Sequence, residues 1–152
     1  DNGPRSRVFD RAISAGLRAY TAHHPSAVCS SGATIGAGCV IFPNAVVNVA
    51  AVLGVNVIVN TSAVVEHDCI IGDHTHVATG AILAGGVRVE AFAHIGAGAT
   101  IRQGLIIGAR AVVGAGAAVV KDVPAGVTVF GVPAEPADSL SSGVVDLGRN
   151  LG

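Results

Sequence analysis

The 152-residue sequence contains few aromatic and few charged side chains. Aromatic residues make up 3% of the chain and charged residues 12%, and neither Trp nor Met occurs. The net charge of -1, without any run of basic residues, does not provide the electrostatic footprint of a nucleic-acid-binding protein. We therefore expect no nucleic-acid partner.

Long uninterrupted apolar segments are also absent, although 51% of the residues are hydrophobic. No Asp, Glu, Lys or Arg occurs from Ala19 to Val65, but Gly, Asn, Pro or Ser interrupts this stretch every few residues. A membrane-spanning helix needs about 20 consecutive apolar residues. The sequence therefore predicts no membrane-spanning segment and no membrane partner.

The three cysteines, Cys29, Cys39 and Cys69, are odd in number and lack CxxC spacing. They predict neither a disulfide framework nor a cysteine zinc site, and a reducing cytoplasm is the simplest compartment. No signal peptide is recognisable at the N-terminus, and the first residue is Asp, so we expect a fragment or a processed product.

Polar residues return abruptly between Val65 and His76. These twelve residues contain three of the six histidines and three of the ten carboxylates of the chain. Such a cluster in a weakly charged sequence indicates a chemical site.

An aliphatic residue recurs every six positions over most of the chain, fifteen times without a break. The fifth position of each hexad is small or apolar, so both positions are expected to face a core. A helix would need apolar residues every three or four positions and a flat strand every two. A period of six instead predicts a solenoid in which three hexads form one triangular coil, about five coils in all. The repeated aliphatic residues are Ile35, Ile41, Val47, Leu53, Val59, Val65, Ile71, Val77, Leu83, Val89, Ile95, Ile101, Ile107, Val113 and Val119.

The segments that flank the repeat predict other elements. Apolar spacing predicts a helix over residues 5–17, ended by Gly16, and then a short strand over residues 17–22. We interpret residues 1–27 as the remnant of an α/β domain or a linker. After the repeat, a closing strand is expected over residues 127–130, and residues 135–152 read as a mobile tail.

Three motifs together carry a family resemblance. The hexad repeat, its terminator Lys121-Asp122-Val123-Pro124 and the turn Gly131-Val132-Pro133-Ala134 resemble the left-handed β-helix hexapeptide-repeat acyltransferases. The segment Asn60-Thr61-Ser62-Ala63-Val64-Val65-Glu66-His67-Asp68 is similar to the branch that contains sialic acid O-acetyltransferases and nucleotide-amino-sugar N-acetyltransferases. The resemblance implies an all-β, left-handed parallel β-helix over residues 28–134. It also implies homotrimers with acetyl-CoA between adjacent prisms, and an N-terminal Rossmann-like sugar-binding domain that is mostly missing here.

His67 and Asp68 are the candidate catalytic residues. Acyl transfer to an amine or hydroxyl needs a base with a pKa near neutrality, and His67 suits that role. Asp68, rather than Glu66, would orient the imidazole, as the acidic residue after the base does in the resembling enzymes. The alternative is a His-Asp corner that only faces solvent.

Further site residues are implied by the resemblance. His76 would contact the acetyl group or pantetheine of acetyl-CoA, and Gly85, one coil after His67, would leave room for the thioester. Asn60 would reach the acceptor or orient the base. Each of these residues also has a purely structural explanation, as a satisfied histidine or a turn residue. Backbone at Ala97 and Ala115 would border the pantetheine arm, and Gly131 and Pro133 the adenine end.

The sequence therefore predicts an acetyl-CoA-dependent acetyltransferase that transfers directly to the amino group of a nucleotide-linked amino sugar, with no metal. Sugar or sialic acid O-acetylation is the alternative within the family. A γ-carbonic-anhydrase-like zinc enzyme would need three converging imidazoles, for which His67, His76 and His94 are the candidates. A non-catalytic solenoid is the third possibility.

Overall fold

The computed structural model describes residues 2–137 and shows a parallel β-helix with one α-helix packed on its side. Short strands follow one another around a triangular coil, and most of them pair in parallel with the strands three places before and after them in the chain. The predicted solenoid is confirmed. Of the nineteen strands among the described residues, the eighteen that pair in parallel give about six coils at three per coil, because strands form on both sides of the span from Ile35 to Val119.

Three sheets form the faces of the prism, which we name A, B and C. Face A contains β1 (Ala22–His23), β4 (Val40–Ile41), β7 (Ile58–Val59), β10 (His76–Val77), β13 (His94–Ile95), β16 (Val112–Val113), β18 (Thr128–Phe130) and β19 (Glu135–Pro136). Face B contains β2 (Val28–Cys29), β5 (Val46–Val47), β8 (Val64–Val65), β11 (Ile82–Leu83), β14 (Thr100–Ile101) and β17 (Ala118–Val119). Face C contains β3 (Thr34–Ile35), β6 (Val52–Leu53), β9 (Ile70–Ile71), β12 (Arg88–Val89) and β15 (Ile106–Ile107).

Turns join the faces at three corners, which we name AB, BC and CA after the faces that they connect. Residues 60–63 form a turn of the AB corner, residues 66–69 a turn of the BC corner and residues 72–75 a turn of the CA corner. The fourth residue of the hexad has a positive φ in these turns, as in Asn56 (54°), Asp68 (60°) and His74 (59°). This left-handed conformation favours Gly, Asn and Asp.

The core is a stack of the two predicted columns. The first residue of the hexad is buried from Ile41 to Val119, and the small residue in the fifth position is buried beside it. Thr75 is the polar member of the fifth-position column. It is satisfied because its hydroxyl donates to the carbonyl of Glu90 at 3.2 Å. Aliphatic side chains at a strict 18-residue spacing fill this narrow prism, which explains the scarcity of aromatic residues.

The helix α1 (Asn2–Ser14) packs along the CA corner. The Arg5 guanidinium donates to the backbone carbonyls of Asn56, His74 and Thr75, and the Asn2 amide donates to the carbonyl of Ala93 at 2.9 Å. Donor side chains of the helix are thus bonded to backbone carbonyls of the coils, and the Phe9 ring packs edge-on against His74.

The C-terminal end of α1 has the predicted glycine. Gly16 has φ 82°, its N–H donates to Ile13, and the N–H of Leu17 donates to Ala12. These two bonds form the Schellman arrangement that ends many helices. The helix itself begins three residues earlier than predicted and ends at Ser14, because the docking of Asn2 and Arg5 holds its first turn against the coils.

Three other boundaries differ from the sequence prediction. The strand predicted over residues 17–22 is confined to β1, which pairs with β4 and so joins the β-helix before residue 28. The predicted tail at 135–152 begins instead with β19, which pairs antiparallel with β18. The remainder of that predicted tail, from residue 138, lies outside the described residues. Within residues 2–137, no helix has the length and apolar character that crossing a bilayer requires.

Candidate active site

His67 and Asp68 form a hydrogen-bonded pair in a BC-corner turn. The Nδ1 atom of His67 lies 2.8 Å from Oδ2 of Asp68, and both side chains are more than half exposed. A carboxylate accepts the hydrogen of Nδ1, so Nε2 of the neutral ring keeps its lone pair. This is the arrangement that a histidine base requires.

Glu66 is occupied elsewhere, which leaves Asp68 as the partner of the ring. The Oε2 atom of Glu66 accepts the Asn48 amide at 3.0 Å and the backbone N–H of His67 at 3.2 Å. The structure therefore agrees with the assignment of Asp68, rather than Glu66, to the imidazole.

Gly85 stands against the reactive edge of the His67 ring, one coil further along the BC corner. A Cβ placed on Gly85 would lie 2.5 Å from Cε1 and 2.6 Å from Nε2 of His67. Real Cβ atoms do not approach so closely, so any larger residue here would displace the imidazole. The position of Gly85 above His67, expected from the 18-residue stacking, is confirmed, and it keeps the space beside Nε2 open.

Electrostatics favour the protonated form of His67. The hydrogen bond to Asp68 raises the pKa of His67, and the charges of Asp68 and Glu66 act in the same direction. A base of raised pKa holds a proton more readily after it has taken it from an attacking nucleophile.

His76 belongs to a second group of polar residues, on face A. Its Nε2 atom lies 3.1 Å from the Nδ2 atom of Asn60, and its ring packs edge-on against His94, with ring centroids 5.0 Å apart. His76 and His94 are paired in register, as the stacking predicted. Burial lowers the pKa of His76 to about 4, with His94 and Arg5 acting in the same direction, and burial also lowers the pKa of His94. Both rings are therefore neutral near pH 7.

Asn60, predicted as an acceptor contact, and the remaining predicted contacts of acetyl-CoA lie along the AB corner. Asn60 begins the turn after β7, and two coils later Ala97 lies in the turn after β13. Ala115 follows after β16, and the N–H of Gly116 bonds to the carbonyl of Ala97. Gly131 accepts a hydrogen bond from Ala118 on β17, and Pro133 comes two residues later. These five residues thus form one line along a single corner.

The structure separates the predicted site residues into two sets. The catalytic set contains His67 and Asp68 on the BC corner, together with Gly85, which was predicted as an acetyl-CoA contact. The donor set contains the other predicted acetyl-CoA contacts, together with Asn60, which was predicted as an acceptor contact. It consists of Asn60, His76, Ala97, Ala115, Gly131 and Pro133, on face A and the AB corner. The BC corner lies opposite face A in a triangular coil, so one chain does not bring His67 to His76.

Sequence reasoning missed two contacts of this site. Asn60 was expected near the acceptor or the base, yet its amide bonds His76; the spacing of sixteen residues, two short of one coil, was the available signal. Asn48, which bonds Glu66 at a spacing of eighteen, was also overlooked.

His74 has a structural role. It is buried, bonds Asn56 at 2.9 Å and packs on Phe92, with ring centroids 4.8 Å apart.

Burial raises the pKa of the Cys69 thiol, which disfavours the thiolate and so a role as nucleophile. Among residues 2–137, no three His, Cys, Asp or Glu side chains are grouped so that they could hold a metal ion.

We compared the chain with protein-family models, with curated protein sequences and with solved structures. No protein-family sequence model matches the chain, and no curated protein sequence matches it. Solved structures do match. The acetyltransferase domain of PglB from Neisseria gonorrhoeae FA1090 is 41% identical with a TM-score of 0.88, over 89% of this chain and 66% of that one. It has also been solved in complex with acetyl coenzyme A.

Two further relatives have similar coverage. PerB from Caulobacter crescentus, solved with CoA and GDP-perosamine, is 40% identical with a TM-score of 0.88, over 90% of this chain and 66% of that chain. WeeI from Acinetobacter baumannii AYE is 35% identical with a TM-score of 0.86, over 89% and 66%. The chain thus spans just under two thirds of the length of these relatives. On the ground of this identity and structural agreement, the chain belongs to the hexapeptide-repeat acyltransferases with a left-handed β-helix.

Proposed function

We propose that the protein is an acetyl-CoA-dependent N-acetyltransferase that acts on the amino group of a nucleotide-linked amino sugar. The observation that carries the proposal is the His67–Asp68 pair at 2.8 Å, with Gly85 leaving Nε2 accessible. The relatives support the substrate class, since PerB was solved with CoA and GDP-perosamine and is described as a GDP-perosamine N-acetyltransferase.

The proposed reaction is direct transfer without a covalent enzyme intermediate. The neutral amine of the sugar attacks the carbonyl carbon of the thioester, and its proton passes to Nε2 of His67. The new C–N bond forms, the C–S bond breaks, and the thiolate of CoA leaves and takes up the proton from His67. Asp68 holds the ring and stabilises the imidazolium during these steps, and the Gly85 N–H would contact the thioester carbonyl.

The donor set would bind acetyl-CoA. His76 would contact the acetyl end, the small Ala97 and Ala115 would leave room for the pantetheine arm, and Gly131 and Pro133 would border the adenine end. From the Asn60 turn to Gly131 the corner rises by about four strand spacings, roughly 19 Å. An extended thioester cofactor fits along such a line of small, exposed residues.

We further propose that the site is completed between copies of this chain, in a homotrimer. His67 and His76 lie on opposite sides of one prism, so transfer from a donor at His76 to an acceptor at His67 needs a second chain. The 56% exposure of the His67 side chain supports this, because a base that works in a water-excluding site needs a covering surface. Exposed aliphatic residues of face B, such as Val28 and Ile82, are also suited to such cover.

Mixed oligomers test the shared site. Chains with His67→Ala and chains with His76→Ala, each carrying a different tag, are co-expressed and the doubly tagged species is purified. In a trimer with shared sites, each mixed trimer has one interface at which the His76→Ala chain supplies an intact His67 and the His67→Ala chain supplies an intact His76. One of the three sites is then complete, so about a third of the activity returns. If each site lay within one chain, the doubly tagged species would be as inactive as either variant alone.

The activity itself is tested by release of CoA thiol with acetyl-CoA and a panel of nucleotide-linked amino sugars. Wild-type protein is expected to turn over an amino sugar and not its hydroxyl analogue, which separates N-acetylation from O-acetylation. Full activity in the His67→Ala variant would overturn the proposal.

We also propose that α1 belongs to the end of a sugar-binding α/β domain and that the protein acts in the cytoplasm. Val8 of α1 and Leu17 and Tyr20 of the segment that follows it are large, mainly apolar and well exposed, which supports a surface that more protein covers. The free thiols of Cys29, Cys39 and Cys69 suit a reducing compartment.

A further inference from the structure

The orientation of the Asn60 side-chain amide is fixed by its own turn. Its Oδ1 atom accepts the backbone N–H of Thr61 at 2.8 Å and lies 3.4 Å from the Thr61 hydroxyl. A backbone N–H can only donate, so the atom that faces it must be the amide oxygen. The amide NH2 group of Asn60 therefore points the other way, towards His76.

This orientation decides which nitrogen of His76 carries the hydrogen. The Nδ2 atom of Asn60 lies 3.1 Å from Nε2 of His76. An NH2 group only donates, so Nε2 must accept, and a neutral imidazole that accepts at Nε2 carries its hydrogen on Nδ1. The half-buried ring, packed edge-on against His94, is held in the neutral form.

The Nδ1 atom of His76 is also accessible. It makes no hydrogen bond to any of residues 2–137, yet no buried side-chain nitrogen or oxygen in this part of the chain lacks a partner. Nδ1 is therefore not buried, and its hydrogen is available to a ligand. The other polar groups that face the ring are His94 from β13, which packs edge-on and forms no hydrogen bond with it, and Arg5 from α1, which has no acceptor atom on its guanidinium.

We propose that Asn60 is a positioning residue that holds His76 as the Nδ1–H tautomer, so that His76 presents a fixed hydrogen-bond donor on the outer surface of face A. The ligand chemistry that this donor suits is a carbonyl oxygen, either the thioester or an amide of the pantetheine arm. That last step rests on the proposed function, whereas the tautomer and the role of Asn60 follow from the three residues alone. Asn60 then acts through His76 and does not bind the acceptor sugar.

The packing of His94 also helps to fix the orientation of the His76 ring. Its ring lies across the His76 ring at an interplanar angle of 76° and restricts rotation about the His76 side chain. An edge-to-face contact of this kind needs an aromatic ring and no particular charge.

Nuclear magnetic resonance on protein labelled with 15N in histidine tests the tautomer without any substrate. Long-range 1H–15N correlation spectra are expected to show His76 as the Nδ1–H tautomer at pH 7. Asn60→Asp keeps an oxygen for Thr61 but presents a second oxygen to Nε2, so at pH 7 the Nδ1–H tautomer should be replaced by the Nε2–H tautomer. Asn44→Asp is the matched control, because Asn44 is an exposed residue of the AB corner with a φ of 57° that Asp tolerates.

An Nε2–H tautomer of His76 in the wild-type protein would overturn the proposal, as would an unchanged His76 pattern in Asn60→Asp. Steady-state kinetics then test the role of the donor. Asn60→Asp should raise KM for acetyl-CoA by roughly tenfold, the effect of losing one hydrogen bond, and leave KM for the acceptor unchanged. A rise in KM for the acceptor alone would make Asn60 a substrate ligand instead. If the wild-type protein transfers no acetyl group, the proposed function fails while the tautomer measurement still stands.

Discussion

The Nδ1 atom of His67 lies 2.8 Å from Oδ2 of Asp68, although the two residues are adjacent in sequence. The left-handed backbone of Asp68, with φ 60°, is found where the chain turns the BC corner and brings the carboxylate beside the preceding ring. The pair is therefore local, and it does not depend on contacts between coils.

Asp68→Asn should shift the pH dependence of activity. The hydrogen bond to Asp68 raises the pKa of His67, and a base acts only when it is deprotonated, so activity falls as pH decreases through this raised pKa. The amide keeps the shape but removes the charge, so the acidic limb of kcat/KM should move to lower pH while kcat drops at least about tenfold. The measurement is a pH profile of kcat/KM.

Asp73→Asn is the control for this profile, because the Asp73 carboxylate accepts the backbone N–H of Val55 at the CA corner, away from His67. An acidic limb that stays in place in Asp68→Asn, or that moves equally in both variants, would contradict the role of Asp68.

Gly85→Ala should inactivate the protein through His67. The new Cβ would lie within 2.6 Å of two atoms of the imidazole, so the ring must leave its position beside Asp68. We expect a loss in kcat of about 100-fold or more, in the range for loss of a general base.

A double-mutant cycle checks that route. In a His67→Ala background, Gly85→Ala should cost little further activity, since the displaced ring is already gone. Equal losses in both backgrounds would mean that Gly85 acts independently of His67, and thermal unfolding of each variant monitors the fold.

Neighbouring isoleucines on β9 should differ in their contribution to stability. The Ile71 side chain is 1% exposed in the core, whereas Ile70 is 42% exposed on face C. Ile71→Ala should lower the free energy of unfolding by about 2–5 kcal/mol, and Ile70→Ala by less than about 1.5 kcal/mol. Chemical denaturation measures both values, and similar losses would show that the inward and outward columns are misassigned.

His94→Phe should raise the pKa of His76. Burial is the largest cause of the low value, about 4, and the neighbouring His94 is the second. Phenylalanine keeps the edge-on ring but cannot carry a charge, so the pKa should rise while staying below the ordinary value near 6.5. NMR titration of the His76 ring measures it, and an unchanged or lower pKa would contradict this account.

The same lowered pKa predicts how stability depends on pH. The folded state binds the His76 proton less readily than the unfolded chain, so unfolding takes up a proton between about pH 6.5 and about pH 4. The contribution of His76 to stability is therefore present at neutral pH and is lost as pH falls through this window. His94→Phe should make that loss smaller, as measured by denaturation at pH 7, 5.5 and 4.5.

Particular residues show how far the sequence could be read. The strict hexad predicted the solenoid, the inward columns and the stacking of Gly85 on His67 and of His94 on His76, because a fixed period fixes the register of every coil. The pairing of the adjacent His67 and Asp68 was implied by the family resemblance, and the structure places the two groups 2.8 Å apart. The contact between Asn60 and His76 was missed, since it depends on side-chain orientation at a corner and not on register.

The packing of α1 was also beyond the sequence. Asn2 and Arg5 bond carbonyls more than fifty residues away, and no local pattern encodes such partners. The pairing of β1 with β4 likewise moved the start of the β-helix ahead of the predicted boundary at residue 28.

The polar stretch from Val65 to His76 shows which features follow from the sequence and which follow only from the tertiary structure. By itself the sequence determined the coil and the family, because both follow from a six-residue period and its flanking motifs, and it pointed to the adjacent His67 and Asp68 as the candidate catalytic pair. Only the tertiary structure decided that His67 and His76 face opposite ways and that Asn60 holds His76, because three faces must close into a triangle before any residue has a neighbour across a corner.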